Sequence, residues 1–291
     1  MTDWARRFGD LISRKTAAAV AAVIPPFATE IDRADDRFTA IGSQWSCRLF
    51  DGRFYVSPPR SGLPATSLVF VRSRDGDTVA RDPSTLGGGE ADKHLIYEGL
   101  SRVAADAVLS GHATIRDGDL VLSVWHPELV ALRAELELPR HPVQIVGTLR
   151  GVDLDAGLMF NVPELRVMIL TAARGLEAMR EQLVERPWVT PIVMEATGDL
   201  PSAFRQLRQL GVNRISCIGG RTLAEPLIDA GLVHDLYLTT TAISAGEPGT
   251  PFYSKALAPR EIVRKHGTGG DDGVVFQHLA LARPICPSPP A

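Results

Sequence analysis

Gly219 and Gly220 stand where an apolar run ending at Ile218 gives way to a short helical pattern, within ISCIGGRTLAEPLIDAGLVHDLYLTTTAISA (Ile215 to Ala245). The stretch reads as a buried strand, a Gly-Gly turn, a short helix and a second buried strand. Without side chains, the backbone N–H groups of such a turn can point at an anion. A Cβ there would hold a pyrophosphate away. This is the chemistry of a nucleotide crevice at the carboxyl end of a parallel strand. A tight turn without a ligand is the alternative for the pair taken alone.

The rest of the chemistry-bearing inventory is sparse. Three cysteines, Cys47, Cys217 and Cys286, form no C-x-x-C pair, which argues against a disulfide framework or a Cys-rich zinc site. Cys217, inside an apolar strand, reads as a small core residue. The seven histidines show no H-E-x-x-H spacing, so no metal centre is expected.

Strands and helices must hold the turn in place. Thr66 opens an alternation of the two: SLVFVRS as a strand closed by Asp75-Gly76, then KHLIYEGLSRVA at helical spacing with Asp92 just ahead of it. DAVLSG, PVQIVGT, LRVMILT and WVTPIVMEA read as further strands, with a polar helix ahead of the last. Asp199 is placed to cap LPSAFRQLRQLG, and Gly211 to end it. EIVRKHGTG and GVVFQHLALA form an antiparallel pair about the Gly269–Gly273 turn. The pattern predicts a three-layer α/β fold with a mostly parallel sheet and an antiparallel C-terminal edge.

Residues 1–63 differ in composition. An Ala-rich helix, a polar stretch and a run of turn formers read as an N-terminal extension that packs on the main domain or on a neighbouring subunit. The main domain is expected over 64–283, with a disordered tail at 284–291. The chain of 291 residues carries a net charge of −3, so no basic field points to nucleic acid or an anionic membrane. No apolar run reaches membrane-spanning length. Arg14-Lys15 ahead of TAAAVAAVI faintly resembles an export signal, but the Ala-rich periodicity favours a helix and a cytoplasmic protein.

Three motifs line up in order: SRDG (Ser73 to Gly76), ADAVLSGHATIRDGD (Ala105 to Asp119), and IGGRTL followed by GLVHDLYLTTTAISAG. Together they resemble the reductase domain of bacterial riboflavin biosynthesis, a relative of dihydrofolate reductase, over roughly Leu68 to Leu281. The resemblance implies a dihydrofolate-reductase-like fold with NADPH as hydride donor. It places Gly111, His112 and Thr114 at the cofactor phosphates, and Thr171 and Arg174 at the adenosine ribose and its 2′-phosphate. Gly219, Gly220, Arg221 and Thr222 form the pyrophosphate turn. Asp92 becomes the candidate proton donor, and Ser73 and Asp75 line the substrate loop. Each has a plainer reading: a charge at a helix amino end for Asp92, solvated cations for Arg174 and Arg221, turn chemistry for Ser73 and Asp75.

Departures accompany the matches. Asp77 stands where the family carries a lysine after Asp-Gly, and Ile218 where it carries a glutamate before Gly-Gly. The Asp77 charge is expected to repel a phosphorylated sugar. His126-Pro127-Glu128 matches half of a zinc-deaminase signature whose cysteines this chain lacks. Two readings follow: an NADPH-dependent reductase of a small pyrimidine or pterin-like heterocycle, or a nucleotide-binding protein of the same fold without catalysis. The relatives' edge-strand pairing, with the apolar LYLTTTAIS run, adds the expectation of a homodimer.

Overall fold

The computed structural model describes residues 3–59, 62–115, 119–196, 199–269 and 273–281. The amino end forms α1 (Asp3–Ala21), β1 (Phe27–Asp32), and β2 (Thr39–Ile41), α2 (Gln44–Phe50) and β3 (Phe54–Val56), before β4 (Ala65–Arg72). α3 (Gly89–Ala91) runs into a π-helical stretch, Asp92–Leu100, ahead of β5 (Ala107–Gly111). Then come α4 (Pro127–Glu135), β6 (Val143–Gly147), β7 (Val167–Ala172), α5 (Ala173–Val184) and β8 (Val189–Met194). α6 (Leu200–Gln209), β9 (Arg214–Cys217), α7 (Arg221–Asp229) and β10 (Asp235–Thr240) follow, and β11 (Arg260–Gly267) and β12 (Val275–Ala280) end the described chain.

The apolar runs become the middle of one ten-stranded sheet, in the order β1-β11-β12-β10-β4-β9-β5-β6-β7-β8. From β10 to β8 every pairing is parallel; β12, β11 and β1 continue the sheet antiparallel. Parallel strands are covered on both faces, which explains why they read as nearly unbroken apolar runs. On one face α6 and α7 cover a core of Leu68, Phe70, Leu109, Phe204 and Leu227. On the other, the π-helical stretch and α2 cover Val69, Tyr237 and Phe276, while α1 and α5 cover Val146 and Ile169. The three-layer α/β architecture with an antiparallel side is the one that the sequence pattern implies.

The antiparallel edge differs in detail. β11 is not the outer strand: β1, from the extension, pairs with it, with a register shift between Thr29 and Ile31. Phe50 and Phe54 of the extension are buried within the same core as the π-helical stretch. Residues before 64 therefore complete the sheet rather than decorate it. β10 lies between β4 and β12. Its apolar LYLTT run is accounted for by burial inside the sheet, so it offers no edge for a second subunit.

Two local expectations also change. Asp199 precedes α6 but makes no capping bond; its carboxylate accepts from the Glu195 N–H at 3.4 Å. His126-Pro127-Glu128 starts a helix, α4, with the imidazole accepting from the Glu128 N–H at 3.3 Å. The expected tail at 284–291 and Cys286 lie outside the described residues.

Candidate active site

Seven parallel strands deliver their carboxyl ends to one rim of the sheet, and the loops that leave them carry nearly all of the candidate residues. Gly219 and Gly220 follow the central strand β9, each with φ +82°. A Cβ on Gly219 would lie 2.6 Å from the ring of Phe70, so the turn closes onto β4 only without a side chain. A Cβ on Gly220 would meet open space. Gly220 begins α7 with no side-chain cap, and Arg221 and Thr222 form the first turn. The helix thus presents bare backbone N–H groups to whatever sits above the rim.

The neighbouring strand brings the second turn alongside. The Ile218 N–H donates to the Leu109 carbonyl at 3.0 Å, joining the end of β9 to β5. Gly111 ends β5 facing open space, and His112–Ile115 make a single 3-10 turn with Thr114 exposed. Gly111, His112, Thr114 and Gly219–Thr222 are therefore gathered on adjacent strands. The open space over both glycines, and the uncapped helix between them, suit a dinucleotide's pyrophosphate.

Beyond them, between the 3-10 turn, the loop after β6 and α5, opens a cleft of about 810 Å³ lined by His112, Arg150, Gly151, Asp153, Glu177 and Arg180 among others. The expected adenosine residues are placed differently. Thr171 is fully buried, and a Cβ on Gly175 would lie 2.2 Å from its hydroxyl oxygen. Arg174 is exposed and donates from Nε to the Leu149 carbonyl at 3.2 Å, tying α5 to the loop after β6. Neither lines the cleft.

At the other end of the rim stands Asp92. It is the first residue of the π-helical stretch, three residues into the helix rather than ahead of it. The hydroxyl of Thr239, fully buried on β10, donates to Asp92 Oδ1. A Cβ on Gly88 would lie 2.9 Å from Asp92 Oδ2, so the Gly87-Gly88-Gly89 run makes room for the carboxylate. Two residues on, His94 Nδ1 meets Glu98 Oε2 at 2.8 Å, and the backbone N–H groups of Trp125 and His126 donate to Glu98 Oε1. Burial works against the Glu98 charge, but those donors outweigh it and hold the carboxyl below its usual range.

Ser73 and Asp75 do not join Asp92. Ser73 is fully buried, its hydroxyl accepting from the Asp77 N–H at 3.3 Å and its N–H donating to the Asp77 carbonyl at 2.9 Å. Asp75 is exposed beside Arg74, at 3.9 Å. Asp77 turns inward, and its Oδ1 accepts from the Thr250 N–H at 2.9 Å. The buried carboxylate thus clasps two loops. Ile218 packs against the core that the π-helical stretch covers. Sequence reading missed Thr239 and Arg72; the latter ends β4 and donates from Nε to Thr240 Oγ1 at 2.9 Å. Burial pushes the Cys217 thiol up to about 12, in keeping with a core residue. Among the described residues no cluster of three His, Cys, Asp or Glu could hold a metal ion, and no helix is long and apolar enough to cross a membrane.

Comparison with known proteins accords with this geometry. A pyrimidine reductase-like protein of Corynebacterium diphtheriae superposes with a TM-score of 0.62 at 20% identity, covering 76% of this chain and 93% of that one. RibD of Acinetobacter baumannii gives 0.57 at 17%, covering 76% of this chain and 59% of the other. The riboflavin biosynthesis reductase of Saccharomyces cerevisiae gives 0.53 at 15%, covering 77% and 92%. At such identities the likeness is one of fold. A search of curated proteins by sequence finds no match. The RibD C-terminal domain family matches residues 67–272, from β4 to just short of β12, and the chain belongs to that family.

Proposed function

We propose that the protein is an NADPH-dependent reductase of a small heterocycle, pyrimidine or pterin-like in character. The observation that carries the reading is the rim itself. A side-chain-free phosphate turn at Gly219-Gly220 and a carboxylate fixed by a buried hydroxyl at Asp92 lie at the carboxyl ends of strands of one sheet. Membership of the riboflavin reductase family supports it. The cofactor, when bound, supplies a hydride to an electron-poor ring carbon.

The chain's own residues do the rest. Gly111, Thr114, Gly219, Gly220, Arg221 and Thr222 hold the phosphates through backbone N–H groups and side-chain donors. His112 and the cleft beyond it take the adenosine end. Asp92, oriented by Thr239, faces the substrate's ring nitrogens and passes a proton to the reduced product, directly or through one water. Ile218 and the wall of the π-helical stretch keep bulk water from the ring. Orientation of this kind is a major source of rate.

Titration of the purified protein with NADPH and NADH, read by nicotinamide fluorescence, tests the reading. Micromolar binding that favours NADPH is expected. In a screen of pyrimidines and pterins, Asp92→Asn should lower kcat about 100-fold or more, with NADPH affinity unchanged. Binding without turnover on any such substrate would leave a nucleotide-binding protein instead. No binding of either dinucleotide would end the reading.

A further inference from the structure

Among the described residues three arginines lie deep in this fold, and one of them pairs with a carboxylate. Arg186 pairs with Asp155 at 2.5 Å and donates to Asn161 Oδ1 at 2.9 Å. Arg133, wholly buried, donates to the carbonyls of Arg102, Val103, Ala105 and Pro139. Arg102 lies 3.9 Å over the ring of Tyr97 and donates from Nη1 to the Ser123 carbonyl, while its Nε and Nη2 are buried with no hydrogen-bond partner among the described residues. Arg72 is different. It is half-buried, its hydrogen bond goes to the neutral hydroxyl of Thr240, and among the described residues no carboxylate pairs with it. Burial lowers the pKa of its guanidinium from the ordinary arginine value, with no nearby anion to offset it. Desolvating a cation without a counter-charge costs stability.

Its place in the fold says what could compensate. Arg72 is the last residue of β4 and pairs in register with Thr240 of β10. By strand alternation it shares a face with Leu68 and Phe70, the face covered by α7. The Phe70 ring is the surface onto which Gly219 closes, and it also packs on Phe252 at 5.4 Å. Two residues further along, Arg72 stands at the rim, between the Gly-Gly turn and the loop that carries Thr250 and Phe252. A charge held at the mouth of a crevice at a cost in stability is a mark of a ligand site.

We propose that Arg72 seats an anionic group, a phosphate or a carboxylate, of a molecule bound at the β4–β10 end of the rim. The inference rests on reading the rim as the ligand site. Two sources share this chemistry: the substrate, or the pyrophosphate of the cofactor. The Asp77 carboxylate is buried and accepts from the Thr250 N–H.

Inorganic phosphate is the probe. The 291-residue chain and its Arg72→Met, Arg72→Gln and Arg72→Lys variants are titrated calorimetrically at low salt and melted in phosphate-free buffer. Wild type is expected to take up phosphate and to melt higher with it. Arg72→Met and Arg72→Gln should weaken that uptake about tenfold or more, a loss typical of one charge-assisted contact, and Arg72→Lys less. In phosphate-free buffer Arg72→Met should melt higher than wild type, since the uncompensated cation is gone. A structural bolt to Thr240 would give the opposite sign. Arg72→Met that melts lower and binds phosphate as wild type does overturns the proposal, as does wild type that ignores phosphate.

Repeating the titration with NADPH present separates the sources. Phosphate that competes with NADPH marks the cofactor's pyrophosphate; phosphate that binds beside it marks an anionic substrate. Phosphate uptake that depends on Arg72 while NADPH fails to bind would sink the reductase reading and leave this one standing.

Discussion

A buried hydroxyl helps to set which way the Asp92 carboxylate faces. Thr239 is fully buried, its hydroxyl donates to Asp92, and Gly88 leaves room on the other side. Thr239→Val keeps the shape and removes the donor. In a turnover assay it should lower kcat about tenfold with NADPH affinity unchanged, and thermal or urea unfolding should show a loss of about 1–2 kcal/mol. A drop in NADPH affinity of the same size would mean that Thr239 serves the fold of the whole rim rather than Asp92. At this scale the sequence was readable where backbone geometry demanded glycine: both residues of the Gly-Gly turn have φ +82°, and at Gly219 a side chain would also strike Phe70. It was unreadable where a role depends on a partner distant in sequence. Nothing about Thr239 within a TTT run singles it out; only the pairing with residue 92 does. Ser73 and Asp77 illustrate the reverse. The sequence places Ser73 in a substrate loop and sets Asp77 against a phosphorylated ligand, and both engage their polar groups within or between turns.

Elements from the extension brace the His112 end of the rim. α1 buries Phe8 and Leu11 in the same cluster as Ile115, which ends the His112–Ile115 turn, and as Trp125. His141 sits at that contact, 5.4 Å from the Phe8 ring and 6.1 Å from the Trp125 ring, with Ser123 Oγ 2.8 Å from its Nδ1. Burial first, then the nearby Arg140 and Arg133 charges, push its pKa down to about 4. The unfolded chain binds this proton near pH 6.5. Between those values the unfolded state holds more protons than the folded one, so stability falls as pH drops from about 6.5 toward 4. Urea midpoints measured at pH 7 and pH 5 should show a decline that His141→Gln reduces; an equal decline in the variant would assign it to other groups. Helix and strand identities over 64–281 were largely legible, because buried parallel strands and amphipathic helices announce their periods. β1 was not. It is an outer strand whose FATEID sequence alternates weakly, and only its pairing partner gives it a strand's identity. α4 was not legible in the sequence, where its His-Pro-Glu start reads only as half of a zinc-deaminase signature whose cysteines the chain lacks.

Across the whole molecule, the family match and the folded unit do not share a boundary. The match begins at residue 67, yet Phe27, Phe50 and Phe54 lie in the core on one face of the sheet. The extension is fastened by polar contacts too. Ser57 donates to Asp235 Oδ1 at 3.0 Å, and the same oxygen meets His278 Nε2 at 2.8 Å. Lys265 Nζ donates to Thr29 at 2.6 Å and to the Asp51 carbonyl at 3.0 Å. Losing a buried phenylalanine costs about 3–5 kcal/mol, against a total stability of about 5–15 kcal/mol for a typical domain. A chain started at residue 64 should therefore be insoluble or unfolded, as expression followed by size-exclusion chromatography and circular dichroism will tell. A folded, NADPH-binding fragment would show the extension to be dispensable.

The sheet also ends in a particular way. β1 carries a shift in register between Thr29 and Ile31, with Glu30 and Asp32 on the same strand, and β8 at the opposite side contains Pro191. A bulge with carboxylates blunts one rail, and a missing N–H interrupts the other. Neither offers a clean template for another strand. Copies of this chain at high concentration, on polysomes or in a crowded cell, are thereby steered away from strand-to-strand polymerisation, and self-association must engage helices and loops instead.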